Sequence, residues 1–280
     1  MKNSVVLVTG ATAGIGEVSA QALAGQGAHV IVVSRSPQKC DETVAGIKAA
    51  TSSANVEAMP ADLSVQQDVR DVAKRFLDKY DRLDVLLNNA GAIYTTRTLS
   101  KDGIELTWAL DHLNYFLLTH LLLDALKAAP AARVVNVSSG AHFAAPNGIN
   151  FDDVQGERKY SGFGAYAQAK LANVMFTYAL ARRLQGTRVT TNVLHPGAVA
   201  TNFGQNNSGL LGKLWKLLGQ FTLSPEQGAK TSIYLASSPE INGVTGKYFD
   251  KCKDVRSSKA SYDEDAQQRL WALSEKMVGM

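Results

Sequence analysis

A short apolar run that ends in a glycine-rich turn constrains the fold of this chain more than any other feature. The run is Val5–Val8, and the turn that follows has Gly10, Gly14 and Gly16 in a Gly-x-x-x-Gly-x-Gly spacing. A strand, a glycine-rich turn and a helix in this order form a phosphate site in α/β proteins, because backbone N–H groups at the helix N-terminus can approach the anion. The spacing differs from the commonest dinucleotide fingerprint, so the run alone also fits an ordinary tight turn.

Short apolar runs alternate with longer helical patterns almost to the end of the chain. The runs that we interpret as strands are Val5–Val8, Val30–Val33, Val56–Met59, Leu83–Leu87, Val134–Val137, Val189–Leu194 and Lys247–Phe249. Runs that are apolar throughout are typical of a parallel sheet covered on both faces. With right-handed crossovers, the pattern predicts an α/β fold, a Rossmann-type doubly wound parallel sheet of about seven strands with helices on both faces.

Capping residues predict where three of the helices begin. Ser36 precedes a proline at the first helical position, Ser64 and Gln67 have the spacing of a capping box, and Ser224 combines both features. No linker or internal repeat interrupts the 280 residues, so we predict a single domain over 1–280.

Two stretches, at about 141–164 and about 202–223, break the alternation of strands and helices. Long irregular insertions in a compact domain are usually functional, so we predict that both are substrate loops. The second stretch carries leucines and aromatic residues at helical spacing. A lid over an apolar substrate, an oligomer contact and a membrane-surface helix remain open for it.

Composition and charge limit the classes of partner and compartment. The formal net charge is only +4, and Lys and Arg are scattered, so we expect no nucleic-acid partner. Cys40 and Cys252 have no metal-ligand spacing, which predicts no metal site and a reducing, cytoplasmic location. No apolar run approaches membrane-spanning length, so we expect no stable membrane insertion. A homo-oligomer remains possible.

Tyr166 and Lys170 form a candidate proton-transfer pair. They are four residues apart at the start of a helical pattern that runs to about Leu184, which places them on one helix face. A free tyrosine has a pKa near ~10, and a neighbouring ammonium lowers it by stabilising the phenolate. An interface tyrosine beside a solvated lysine would give the same spacing.

Motifs spread from residue 5 to about 200 resemble those of the short-chain dehydrogenase/reductase family and occur in that family's order. They are Thr9-Gly10-x-x-x-Gly14-x-Gly16, Asp62-Leu63, Asn88-Asn89-Ala90-Gly91, Asn114, Ser138-Ser139, Tyr166-x-x-x-Lys170 and Pro196-Gly197. Within the family the chain is most similar to the retinol dehydrogenase and WW-domain oxidoreductase branch, on phrases such as Tyr160-Ser161-Gly162-Phe163. The N-terminal anchor of that branch's membrane-bound members has no counterpart here, which argues against a retinoid substrate.

The resemblance implies a catalytic role for four residues. Tyr166 would exchange a proton with the substrate oxygen, and Lys170 would lower its pKa and hold the nicotinamide ribose. Ser139 would donate a hydrogen bond to the substrate carbonyl, so Ser139 and Tyr166 would both bind substrate. Asn114 would hold a water that relays protons to Lys170. A structural serine pair with Ser138, and a buried Asn114 that bridges backbone groups, are the alternatives.

The residues after the second predicted strand favour NADP(H) over NAD. An NAD enzyme usually has an acidic residue there, which accepts from the ribose 2′-hydroxyl. Here Ser34 and Arg35 occupy the position, and the arginine's planar fork suits a 2′-phosphate, with Lys39 adding charge. Arg35 could also be a solvated surface residue. The other positions that the resemblance assigns to the cofactor are Gly10, Thr12, Ala13, Gly14, Ile15, Gly16, Asp62, Leu63, Asn89, Ala90, Gly91, Tyr166, Lys170, Pro196, Gly197, Val199 and Thr201.

Together these inferences predict an NADPH-dependent oxidoreductase that interconverts a carbonyl and an alcohol on an apolar small molecule, with Tyr166 as general acid and base. One alternative is an epimerase or dehydratase that uses a bound cofactor internally. Another is a non-catalytic NADPH-binding sensor or scaffold, against which the intact Ser139, Tyr166 and Lys170 argue. His142 and His195 are not expected to be catalytic, because no cysteine or acid motif accompanies them.

Overall fold

The computed structural model describes residues 1–197 and 223–280, and these contain one eight-stranded sheet. The strands are β1 (Val5–Thr9), β2 (His29–Val33), β3 (Val56–Ala58), β4 (Val85–Asn88), β5 (Ala132–Val137), β6 (Val189–His195), β7 (Tyr248–Asp250) and β8 (Lys253–Val255). Their order is β3-β2-β1-β4-β5-β6-β7-β8, in which only the last pair is antiparallel. The predicted fold class is confirmed, with one strand more than the seven expected.

Helices cover both faces of this sheet. They are α1 (Gly14–Gly25), α2 (Pro37–Thr51), α3 (Gln66–Leu77), α4 (Leu106–Trp108), α5 (Asn114–Leu121), α6 (Leu123–Ala128), α7 (Gly162–Arg183), α8 (Pro225–Ser237) and α9 (Glu264–Val278). A π-helical turn, Ala109–Leu113, joins α4 to α5. Over the ranges 1–197 and 223–280, none of the helices is long and apolar enough to cross a membrane.

The core consists mainly of two apolar layers, one on each side of the sheet. Successive side chains of a strand point to opposite faces, and β1 accordingly sends Val6 and Val8 to one layer and Leu7 to the other. Leu23 of α1 lies in the first of these layers, and Phe116 of α5 lies in the second. The central strands are therefore buried on both sides, as their uninterrupted apolar sequence predicts.

Two of the three predicted helix starts are confirmed. The Ser36 side chain caps α2, and Ser224 forms a complete capping box at the start of α8. The capping box predicted at Ser64 is wrong, since α3 begins at Gln66 and the N–H of that residue donates to the Asp102 carboxylate over 2.8 Å. The backbone N–H and hydroxyl of Ser64 instead donate to Oδ1 of Asp62, over 3.1 and 2.7 Å. The carboxylate two residues earlier is the stronger acceptor, so it forms a local turn in place of the cap.

The first predicted substrate loop, 141–164, is anchored to the chain that precedes α4. The Arg97 side chain donates to the Gln155 carbonyl over 2.9 Å, and the Glu105 N–H donates to the Gln155 side chain over 3.1 Å. The Tyr160 hydroxyl is 2.9 Å from the Tyr94 carbonyl and 3.0 Å from the Glu105 carboxylate. These bonds fix the segment just before α7 begins. Nearly all of the second predicted loop, 202–223, lies outside the described residues.

Candidate active site

The turn between β1 and α1 has the backbone that a diphosphate requires. Gly10 and Gly14 have φ of +65° and +57°, a conformation that glycine adopts without steric cost. A Cβ at Gly10 would lie 2.8 Å from the Cα of Ala90, and one at Gly16 would overlap the Gly10 carbonyl oxygen. Ala13, the N-cap of α1, offers no side-chain acceptor. The first N–H groups of α1 are therefore suited to an external anion.

The loop after β4 is bonded to this turn. The Thr9 hydroxyl accepts from the N–H groups of Asn89 and Ala90, over 2.8 and 3.0 Å. The Asn89 amide in turn donates to the carbonyls of Thr9 and Gly10, over 2.9 and 3.3 Å. The residues predicted from the two motifs thus lie against each other, and Gly91 continues the same wall towards Lys170.

The end of β2 presents polar and cationic groups beside the glycine turn. The Ser34 hydroxyl is 2.8 Å from the Thr12 hydroxyl, and both Arg35 and Lys39 are exposed. Burial, then the charge of Asp111, raise the pKa of Tyr94, while the Arg35 guanidinium opposes them. Arg35 lies just after the carboxyl end of β2, close enough for its charge to act on Tyr94.

Asp62 and Leu63 occupy the next strand end. Leu63 is buried, and the Asp62 N–H donates to the Asp68 carboxylate over 3.0 Å. The Asp62 carboxylate accepts from Ser64 just before α3 begins. It therefore already has a structural role at the entry to that helix.

Ser139 and Tyr166 are joined at the carboxyl end of the sheet. Ser139 follows β5, and Tyr166 lies in the second turn of α7 with 8% of its surface exposed. Burial and the Asp111 charge raise the pKa of Tyr166 well above its ordinary value, and the hydrogen bond from Ser139 lowers it in part. The net effect keeps the hydroxyl protonated at neutral pH. This differs from the lowered pKa that the tyrosine–lysine spacing predicts.

Ser138 and Ser139 have different partners. The Ser138 hydroxyl is buried and donates to the Lys170 carbonyl over 2.7 Å, so it fixes α7 against β5. The Ser139 carbonyl accepts from Nδ1 of His142 over 2.7 Å, and Nε2 of the same ring accepts from the Ser258 N–H over 3.1 Å. These two bonds require the neutral ring with its proton on Nδ1. His142 therefore holds the Ser139 backbone without reaching the reacting atoms.

Lys170 is buried in an ion pair that the predicted site did not include. Its Nζ is 3.1 Å from Oδ2 of Asp111, and their side chains are 3% and 0% exposed. The ammonium also donates to the Val137 carbonyl over 3.3 Å, and Oδ1 of Asp111 accepts from the Ala92 N–H over 2.8 Å. Burial raises the pKa of Asp111 to about 6, although the Lys170 charge lowers it. Asp111 is the one charged residue between Leu106 and Leu123, which is the sequence signal that could have identified it.

Asn114, which the resemblance assigns to a water that relays protons to Lys170, directly follows the π-helical turn, and that role stays a prediction. Its amide donates to the Leu110 carbonyl over 3.4 Å, and its side chain lines a small space with Leu63 on the α3 side. Asp111 lies within the π-helical turn and Asn114 directly follows it. Because a π turn takes more residues than an α turn, the two side chains face different directions.

The last cofactor positions follow β6. Pro196 and Gly197 are partly buried there, and Gly197 has φ of +88°. A Cβ on Gly197 would meet only the end of the flexible Leu223 side chain, so the positive φ is what favours glycine there. The predicted contacts of Val199 and Thr201 lie outside the described residues.

Two large apolar side chains flank the reacting cluster along the chain. Phe143, four residues after Ser139, is 53% exposed, and Phe163, one helical turn before Tyr166, is 56% exposed. Because they are exposed and close in sequence to Ser139 and Tyr166, Phe143 and Phe163 are candidate contacts for an apolar ligand.

A glycine turn under α1 and a Ser139–Tyr166–Lys170 cluster at the carboxyl ends of parallel strands define a class of nucleotide-dependent oxidoreductase. The chain belongs to the short chain dehydrogenase family, whose model matches residues 4–209. It is accordingly an NAD(P)-dependent oxidoreductase that acts on small molecules.

Individual relatives match almost the whole chain. Retinol dehydrogenase 13 from Homo sapiens is 40% identical over 284 residues, covering 98% of this chain and 84% of that protein. Polyprenol dehydrogenase from Homo sapiens is 41% identical over 283 residues, covering 99% and 85%. An uncharacterized protein from Mycobacterium paratuberculosis has a similar structure, with a TM-score of 0.80, 32% identity and coverage of 100% and 94%. The NADP active-site complex of RhlG from Pseudomonas aeruginosa has a TM-score of 0.71, 26% identity and coverage of 89% and 94%.

Proposed function

We propose that this protein interconverts a carbonyl and an alcohol on an apolar small molecule with NADP(H), and that Tyr166 is the general acid and base. The observation that carries the proposal is the hydrogen-bonded Ser139–Tyr166 pair with the buried Lys170 ammonium behind it. A tyrosine whose pKa lies above its ordinary value holds its proton at neutral pH, so it can act as an acid towards a carbonyl oxygen.

The side chains of the cluster have separate tasks in reduction. The Tyr166 hydroxyl gives its proton to the substrate oxygen, and the Ser139 hydroxyl donates a second hydrogen bond to that oxygen as charge develops on it. The Lys170 ammonium, whose Nζ is 5.5 Å from the centroid of the Tyr166 ring, stabilises the phenolate that remains. The nicotinamide, when bound, supplies or accepts the hydride.

The cofactor is assigned from the residues that would hold it. The Gly10–Gly16 turn and the uncapped N-terminus of α1 suit the diphosphate, and Ser34, Arg35 and Lys39 suit a 2′-phosphate. The absence of a carboxylate directly after β2 disfavours NAD. The NADP complex of the RhlG structure supports the same choice.

An apolar substrate is supported by two independent observations. Phe143 and Phe163 expose their rings next to the reacting cluster in sequence. Retinol and polyprenol, which give two relatives their names, are both long apolar alcohols. The substrate class that we propose is therefore an aldehyde, ketone or alcohol on an apolar chain or ring.

The test is NADPH oxidation with a panel of apolar aldehydes and ketones, for wild type and Tyr166→Phe. The phenylalanine keeps the ring packing and removes the proton, so kcat should fall by ~100-fold or more while NADPH affinity is retained. Tyr178→Phe is the matched control, because it removes a hydroxyl of the same helix that bonds Ser257 over 2.7 Å, away from the cluster. A near-normal kcat in Tyr166→Phe would refute the mechanism. Product formation without net NADPH consumption would favour the epimerase or dehydratase, and tight binding without turnover would favour the sensor.

A further inference from the structure

The buried Asp111–Lys170 pair adds a charge to the site that proton transfer by Tyr166 does not require. Asp111 is fixed from both ends, by the Ala92 N–H at Oδ1 and by Lys170 at Oδ2. A Cβ on Gly91 would lie 3.0 Å from Nζ of Lys170 and 3.1 Å from Oδ2 of Asp111, so the backbone closes over the pair. The ammonium is thus held between the carboxylate and the ring of Tyr166.

Ionisable groups from several elements surround the Asp111 carboxylate. Lys170 and Tyr166 reach it from α7, Tyr115 from α5, and Tyr94 and Glu105 from the chain that precedes α4. Burial raises the pKa of all three tyrosines, and the Asp111 charge raises each of them further. Among these neighbours, Lys170 is the only cation, and it is shared by the carboxylate and the catalytic ring.

We propose that Asp111 is a positioning residue: its carboxylate engages the charge of Lys170 and so biases the site towards proton donation, that is, towards carbonyl reduction rather than alcohol oxidation. The inference rests on the proposed function, because it assigns a preferred direction to the same reaction. In reduction Tyr166 must begin protonated, and in oxidation it must begin as the phenolate. The negative charge of Asp111 near Tyr166 disfavours the phenolate and so favours the protonated hydroxyl.

Asp111→Asn tests this assignment with little change in shape. The amide oxygen can still accept from Ala92, whereas the charge on the neighbouring oxygen is lost. Removing a charge within a few ångströms in a buried site should lower the pH at which Tyr166 titrates by about one unit. Oxidation of an apolar alcohol should then reach half of its maximal kcat/KM at a pH lower by the same amount, with about tenfold faster oxidation at neutral pH. Reduction should begin to fail at a correspondingly lower pH.

The readout that does not depend on turnover is the ultraviolet difference spectrum of phenol ionisation. The chain has nine tyrosines, so Tyr166 is isolated by subtracting the titration of Tyr166→Phe in each background. Asp84→Asn is the matched control, because it makes the same change in a buried carboxylate that lies before β4 and pairs with Arg82, and it should leave both pH profiles in place. Asp111→Ser provides a second, smaller uncharged side chain should the asparagine variant fail to fold.

The two proposals fail in different ways. An unchanged or higher titration pH for Tyr166 in the uncharged variants would overturn the role of Asp111, even if wild type is a competent reductase. A shift in Asp84→Asn equal to that in Asp111→Asn would also overturn it. Undiminished turnover in Tyr166→Phe would overturn the proposed function, while the spectroscopic comparison would still report on Asp111.

Discussion

Replacement of Arg35 should remove the preference for NADP over NAD. Arg35 follows β2 beside the Ser34–Thr12 contact, and its side chain is exposed. A hydrogen bond to a charged group contributes ~1.5–3 kcal/mol, and because Arg35 is exposed we expect the lower end of that range. About 1.5 kcal/mol corresponds to roughly tenfold in affinity. In Arg35→Ala the ratio of NADP to NAD affinity should therefore fall about tenfold, through weaker NADP binding alone.

Fluorescence titration of both cofactors into wild type and Arg35→Ala measures this ratio directly. Arg82→Ala is the control, because Arg82 lies before β4, at the edge of the sheet opposite the glycine turn, and pairs with Asp84 at 3.2 Å. Its cofactor affinities should equal those of wild type. Equal affinity of wild type for NADP and NAD, or an unchanged ratio in Arg35→Ala, would refute the phosphate contact.

Two further variants test the backbone turn and the core. Gly16→Ala should abolish cofactor binding in the same titration while the protein stays folded, because the added Cβ would overlap the Gly10 carbonyl. Retained cofactor affinity would contradict the proposed close approach of the cofactor to this turn. Burial lowers the pKa of His112 from 6.5 to about 4, so the folded state disfavours protonation of this ring. The free energy of unfolding should therefore fall by about 3 kcal/mol as the pH falls from 6.5 to about 4. Denaturant unfolding of His112→Asn should show a flatter pH dependence than wild type, and an equal slope in the two proteins would count against the assignment.

The sheet was largely predictable because its central strands are apolar on both faces. Such strands are typical of a parallel sheet that is covered by helices on both sides. The eighth strand was not, since Lys253–Val255 is exposed throughout and has no apolar signal. It forms because Lys251 and Cys252 both adopt positive φ, of 49° and 61°, as the central residues of a tight hairpin do. Neither is a glycine or an asparagine, so the sequence there contains no turn signal.

The members of the active-site cluster were predictable where they lie on a regular helix and not where the helix is irregular. Tyr166 and Lys170 lie on one regular helix, so their spacing alone places them on a common face. Asp111 and Asn114 straddle the end of a π turn, where regular helical spacing does not apply. Helical spacing alone therefore does not predict which of these two side chains contacts Lys170. Ser64 does not form the capping box because its N–H and its hydroxyl both donate to Asp62, two residues earlier.

The Asp111–Lys170 pair is better explained by chemistry than by stability. A fully buried ion pair is often no more stabilising than apolar residues of similar volume, whereas the loss of one partner leaves an uncompensated charge. In the proposed reaction Lys170 is needed where a phenolate forms, and during reduction that phenolate exists only after the proton has left Tyr166. Before that moment a buried ammonium would lack an anion. Asp111 supplies one at 3.1 Å, so the cation is neutralised in the resting state and can turn to the phenolate when it appears.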